Sequence, residues 1–212
     1  MSKILTSASM KGGVGKTSNC VLMAQQWRHQ FTVAIIDTNP LAQAYNWATA
    51  LNIPATHAPN ASPRALRNAV DASQFDILIF DTPPANSTVI GATIALSDVV
   101  MVPYLPADWE MLGLRVVQDV IEHTRKLIGR APLLIGIPSR SGIREIESSA
   151  RLPEIAVTHE IAPAIHRWVE IQRAASHFAD LYSAFPTSTA QREIASCSQF
   201  VLNHLRTKRI EK

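Results

Sequence analysis

The sequence is poor in the features that would assign it quickly. It has only two cysteines in 212 residues, Cys20 and Cys197, and they form neither a C-x-x-C pair nor a metal-ligand spacing. That excludes a disulfide scaffold and a zinc module, and a reduced, cytoplasmic setting is the simplest expectation. No apolar run reaches the roughly 18 residues of a membrane span. The opening MSKILTSASM lacks the apolar core of a signal peptide and reads as a first strand. A Gly-x-Ser-x-Gly elbow is absent, which argues against a serine hydrolase. The seven histidines are scattered; His159 and His166 have no cysteine or acidic cluster beside them and read as surface or packed residues. Charged residues are only 17% of the chain against 47% apolar, so the chain is globular. Its length suits one domain, expected to span residues 1–212 without a linker or repeat.

Charge is unevenly placed. Net charge is +3, which alone is weak evidence for a polyanionic partner. Residues 1–105 carry few charges, and most of the 20 Lys and Arg fall in residues 106–212. At the end, Arg206, Lys208, Arg209 and Lys212 face only Glu211. Two readings stay open for these cations. They form a solvated helix end that complements the helix dipole, or they contact nucleic-acid phosphates.

What is present is an alternation of strands and helices. Residues 3–9 (KILTSAS), 32–37 (TVAIID), 76–81 (DILIFD), 98–102 (DVVMV) and 133–137 (LLIGI) read as strands buried on both faces. Residues 16–29, 62–72, 109–128 and 187–206 read as helices. The expected fold is α/β, an open, mostly parallel sheet with helices on both faces. Ligands of such sheets sit at the carboxyl ends of the strands, and there the sequence places KGGVGKTS, DTNP, DTPP and VPYLP.

KGGVGKTS, residues 11–18, is a phosphate cradle between a strand and a helix. Gly12, Gly13 and Gly15 let the backbone N–H groups of the loop, including that of Val14, close on phosphate oxygens. The helix start at Lys16, Thr17 and Ser18 adds partial positive charge. Lys16 is expected on the β- and γ-phosphates, and Thr17 on Mg²⁺. Asp37 and Asp81 end apolar strands beside the loop, as Mg²⁺ ligands or as caps of the following turns. The loop departs from the usual pattern by placing Met10 where a glycine is expected and by adding a second lysine, Lys11.

With that departure, the chain resembles the deviant-Walker ATPases of the ParA/MinD family, and within it the small ParA-type partition and positioning ATPases. The likeness extends to IIDTNP as the first switch, to IFDTPP as the Walker B strand and second switch, and to SDVVMVPYLPADWEMLGL. These cover most of residues 1–120, and the likeness is looser beyond Ser139. The resemblance implies a P-loop NTPase that binds ATP/ADP and Mg²⁺ and hydrolyses ATP. It implies that Lys11 crosses a dimer interface to the nucleotide of the other subunit, where the residue-level alternative is a solvated loop cation. It also implies that Asp37 and Asp81 hold the ion through water. Thr82 would lie by the γ-phosphate and Pro138, with Ser139 and Arg140, near the adenine. Asp108, Trp109 and Glu110 fall where dimer contacts are built, although Trp109 is equally a helix-start anchor.

Asn39 stands where the family places an aspartate that positions the attacking water. Asn keeps the shape and one acceptor but loses charge and basicity, so slow hydrolysis is expected, whether native or introduced by substitution. Leu41 replaces a common glutamine. The absence of Cys-Gly-Gly disfavours the nitrogenase-reductase relatives, and RTKRIEK lacks the apolar tail of the membrane-binding MinD branch. Arg192, Arg206, Lys208 and Arg209 are the candidate DNA contacts, with a further patch conceivable from Arg140, Arg144, Arg151, Arg167 and Arg173. The expected activity is an ATP-dependent homodimer that holds DNA non-specifically. A ParB-like or cargo-adaptor protein would stimulate it to segregate DNA or position cargo on the nucleoid. A membrane-surface regulator and a biosynthetic P-loop enzyme remain as alternatives.

Overall fold

The computed structural model describes residues 1–84, 87–105, 111–139 and 160–206. The strands are β1 (Lys3–Ser7), β2 (Val33–Asp37), β3 (Ala55–His57), β4 (Ile77–Asp81), β5 (Val99–Tyr104), β6 (Leu133–Pro138) and β7 (Glu160–Ile161). The helices are α1 (Lys16–Trp27), α2 (Gln43–Ala50), α3 (Pro63–Asp71), α4 (Ser87–Leu96), α5 (Met111–Ile128), α6 (Val169–His177), α7 (Leu181–Ala184) and α8 (Thr189–Arg206). The strands form one sheet in the order β3-β2-β4-β1-β5-β6-β7. Every pairing is parallel, as the uninterrupted apolar runs require.

Alternation along each strand divides the core between the two faces. Leu5, Ile35, Ile79, Met101 and Ile135 face a cluster built with α1, α2 and α8. Their neighbours Ile4, Ile36 and Phe80 pack with Leu66 and Leu96 of α3 and α4. Val100, Val102 and Leu134 pack with α4 and α5. Helices therefore cover both faces of the open sheet.

The chain leaves β1 to its left for β2 and returns on the right at β5, so the end of β1 is a topological switch point, where such sheets bind ligands. In register, Ser7 lies beside Asp81, and Asp81 beside Asp37. The two carboxylates thus share one end of the sheet with residues 11–18.

Several boundaries differ from the sequence reading for local reasons. β1 stops at Ser7 rather than residue 9, because Ser9 turns its hydroxyl to accept from Lys11 N at 3.2 Å. α8 starts at Thr189 rather than residue 187, where Thr187 has φ 65 and Ser188 Oγ accepts from Gln191 N at 3.2 Å as the cap. The reading passed over α2, α4, α6, α7, β3 and β7; most are short, and α2 and α6 open without a side-chain cap. No helix among the described residues is long and apolar enough to cross a membrane.

Candidate functional site

The loop between β1 and α1 takes the geometry its glycines permit. Gly13 has φ 76 and Gly15 φ 102, both in the left-handed region that a side chain strains. Gly15 caps α1 with no side-chain hydrogen bond, and the first turn holds no acidic residue. Its leading N–H groups are thus left to meet an anion. Met10, the departure from the usual loop pattern, is half-buried against the α4–α5 side of the core. Lys11, Gly12 and Gly13 are exposed; Val14 and Lys16 are buried; Thr17 and Ser18 lie between.

Lys16 is only 5% exposed, and its Nζ donates to Lys11 O at 2.9 Å. Desolvation lowers its pKa, and the charge of Asp81 acts against that. Thr17 Oγ1 donates to Asp81 Oδ2 at 2.7 Å. Asp81 is fully buried; burial and the neighbouring charge of Asp37 push its carboxyl up to about 7, with Thr17 and Lys16 opposing. Asp37, also fully buried, accepts from Asn39 N at 2.8 Å and from Tyr45 N at 2.9 Å, fastening the turn after β2 to the start of α2. Two adjacent buried carboxylates and a hydroxyl make a hard oxygen set that is short of positive charge. That donor chemistry fits Mg²⁺ held partly through water and phosphate.

Asn39 follows on the same edge, 8% exposed. Its Oδ1 accepts from Leu41 N at 3.1 Å, and its carbonyl meets His57 Nε2 at 3.0 Å. The acceptor that the sequence reading assigned to a water is therefore shared with the backbone of its own turn. Leu41 itself is 70% exposed. Thr82 is fully buried and donates from Oγ1 to Ser7 O at 2.7 Å, tying the second switch to β1.

On the other side of the α1 N-terminus lies a cavity of about 390 Å³, lined among others by Gly15, Ser18, Asn19, Ser139, His166 and Trp168. Asn19 is 3% exposed, and its Nδ2 has no hydrogen-bond partner among the described residues. Pro138, the residue expected near a base, ends β6 and accepts from Ile165 N at 2.9 Å; it is Ser139 that reaches the cavity wall. The sequence reading missed Asn19, Trp168 and Gln172 here and set His166 aside. The only local signal was the polar character of α1's first turn.

The candidate DNA contacts do not converge. Arg192 donates to Thr187 O at 3.0 Å and Thr189 Oγ1 at 2.9 Å at the start of α8. Arg206 ends the same helix, about 21 Å away at 1.5 Å per residue, beside Lys3 and Met1 at the amino end of the sheet. Arg167 and Arg173 are both exposed. Asp108, Trp109, Glu110, Arg140, Arg144, Arg151, His159, Lys208 and Arg209 lie outside the described residues.

Comparison with known proteins places this geometry. No family model matches the chain. It is 28% identical over 179 residues to the maintenance of carboxysome distribution protein A of Gloeobacter kilaueensis, covering 81% of this chain and 78% of that one. It is 30% identical over 74 residues to a ParA family protein of Mycoplasma genitalium, covering 34% of this chain and 27% of that one. A substituted form of Cyanothece McdA, solved in complex with ATP, superposes with TM-score 0.79 at 18% identity, covering 100% of this chain and 99% of that one. The last is a likeness of fold.

Proposed function

We propose that this chain, which is similar to ParA-type proteins in sequence, is a P-loop ATPase of the ParA/MinD kind, an ATP-dependent positioning ATPase that works on DNA. One observation carries the reading: an exposed Lys11 and a buried Lys16 flank one glycine loop, with Thr17, Asp81 and Asp37 gathered at its base. In this reading residues 11–18 wrap the triphosphate and Lys16 exchanges the Lys11 carbonyl for phosphate oxygens. Thr17, Asp37 and Asp81 hold Mg²⁺, which neutralises phosphate charge. Asn19 and the adjoining cavity take the nucleoside; its orphaned amide needs an acceptor that a base or ribose supplies.

Lys11 acts on a second copy. One lysine leaves much of a triphosphate's charge unmatched, and a lysine from a partner makes ATP the bond between two subunits. The exposed Leu41 beside the site is an apolar contact suited to the same face. The dimer holds DNA through basic side chains, with affinity that falls steeply with salt. A partner protein stimulates hydrolysis, which is slow alone because Asn39 has neither charge nor a fully available acceptor. The setting is the cytoplasm and the nucleoid, and the cargo is DNA or a body carried on it. Each step needs differential affinity: ATP for the dimer, and the dimer for DNA.

Co-sedimentation with DNA under Mg²⁺·ATP, under Mg²⁺·ADP and without nucleotide, at low and moderate salt, tests this. Binding confined to ATP and weakened by salt is expected. Equal binding in all three states would remove the nucleotide gate. No binding in any state would redirect the search to vesicles and to small-molecule substrates.

A further inference from the structure

The cavity beside the phosphate loop owes one wall to a single carboxylate that does not itself line it. Glu193 lies one turn into α8. Its Oε2 accepts from His166 N at 3.0 Å and from Trp168 Nε1 at 2.6 Å, and its Oε1 meets His166 Nδ1 at 2.8 Å. A carboxylate is an acceptor, so Nδ1 carries the ring proton in this pairing. The rings of His166 and Trp168 stand edge-on, with centroids 6.3 Å apart. Both residues line the cavity, opposite Gly15, Ser18 and Asn19.

The backbone before them is fixed by the sheet: Ala162 N donates to Gly136 O and Ile165 N to Pro138 O, each at 2.9 Å. Those bonds stop at Ile165. From His166 to the start of α6, the side-chain anchors of the wall among the described residues are the bonds to Glu193.

We propose that Glu193 is a positioning residue for the nucleoside. By fixing His166 and Trp168 it sets the wall against which base and ribose rest, and it ties that wall to α8. This rests on the reading of residues 11–18 as a triphosphate loop. The division of labour is specific: among the described residues the hydrogen bonds of Glu193 go to His166 and Trp168 and not to the loop or the carboxylates, so it acts on the nucleoside part of the ligand and leaves the phosphates alone.

The test is calorimetric binding of Mg²⁺·ATP and of Mg²⁺·tripolyphosphate to the full chain and to Glu193→Ala, Glu193→Gln and Trp168→Phe. Loss of a charge-assisted hydrogen bond is worth about tenfold in affinity. Glu193→Ala should therefore weaken ATP about tenfold. Glu193→Gln, which keeps one acceptor oxygen, and Trp168→Phe, which deletes only the Nε1–H donor, should weaken it less. Tripolyphosphate affinity should stay within about twofold of the parent throughout, since none of its partners changes. The fluorescence change of Trp168 on adding ATP, absent with tripolyphosphate, should shrink in Glu193→Ala. Circular dichroism checks folding, and if the alanine variant is unfolded the other two decide. Parallel weakening of both ligands, or unchanged ATP affinity in all folded variants, would overturn the proposal. If the parent binds neither ligand, the triphosphate-loop reading itself falls and this inference falls with it.

Discussion

Lys16 donates its ammonium to the carbonyl of Lys11 at 2.9 Å, so the two lysines of the loop are joined side chain to backbone. One ammonium is folded into the loop while the other residue stays exposed. The arrangement separates the two residues, Lys16 buried in the loop and Lys11 exposed on it; the proposed reading gives the first to the loop's own ligand and the second to a partner copy.

That separation predicts different failures. Lys16→Ala should weaken Mg²⁺·ATP by about 100-fold, the cost of truncating one partner of a desolvated charge pair. Lys11→Ala should leave ATP affinity at protein concentrations too low for dimers within about threefold, yet abolish ATP-dependent dimerisation. Equilibrium dialysis and light scattering after size exclusion check the two halves.

Asp81 predicts a pH dependence. Its carboxyl sits near 7 in the folded, metal-free protein, raised from 3.8 chiefly by burial and then by the charge of Asp37. The folded state then binds more protons than the unfolded chain between about pH 4 and pH 7, so this group's contribution is full below that window and is lost as pH rises through it. Asp81→Asn should therefore stabilise the metal-free protein by about 1–3 kcal/mol at pH 8, with the difference vanishing near pH 4. The same variant should lose the extra thermal stability that Mg²⁺ adds to the ATP complex. Denaturant melts across pH read both effects.

Asn39→Asp restores a charged acceptor at the first switch. Phosphate release should rise about 100-fold, the lower end of general-base effects, with ATP affinity little changed. An unaltered rate would remove Asn39 from the hydrolytic step.

The two arginines of α8 should behave differently on DNA. Arg206→Ala should weaken ATP-dependent binding and reduce the salt slope by about one. Arg192→Ala should leave the slope unchanged, because its guanidinium is spent on Thr187 and Thr189 at the helix start. Titrations at several salt concentrations distinguish them.

The core predicts a stability cost. Ile79 is fully buried in the strand between β1 and β2 and packs in the cluster that holds α1 to the sheet. Ile79→Ala should cost about 2–5 kcal/mol by chemical denaturation.

By itself, the sequence determined the features that depend on neighbours along the chain. The apolar runs of β1, β2, β4, β5 and β6 could only be strands buried on both faces, and glycines at 13 and 15 before Lys-Thr set a loop that opens a helix. Carboxylates closing two of those runs were legible for the same reason. Strand and helix periods and the left-handed φ of glycine are local properties. The short elements α2, β3 and α6 were not legible, because a few residues carry too little periodicity and their stability comes from packing.

Only the tertiary structure decided the strand order that lays Asp37 beside Asp81. It also placed Arg206 beside Lys3 and Met1 at the amino end of the sheet. The joining of Glu193 to His166 and Trp168 across more than twenty residues belongs to the same class. A hydrogen bond between distant residues leaves no period and no spacing in the chain. It exists because the sheet and its helices bring those groups within 3 Å of each other.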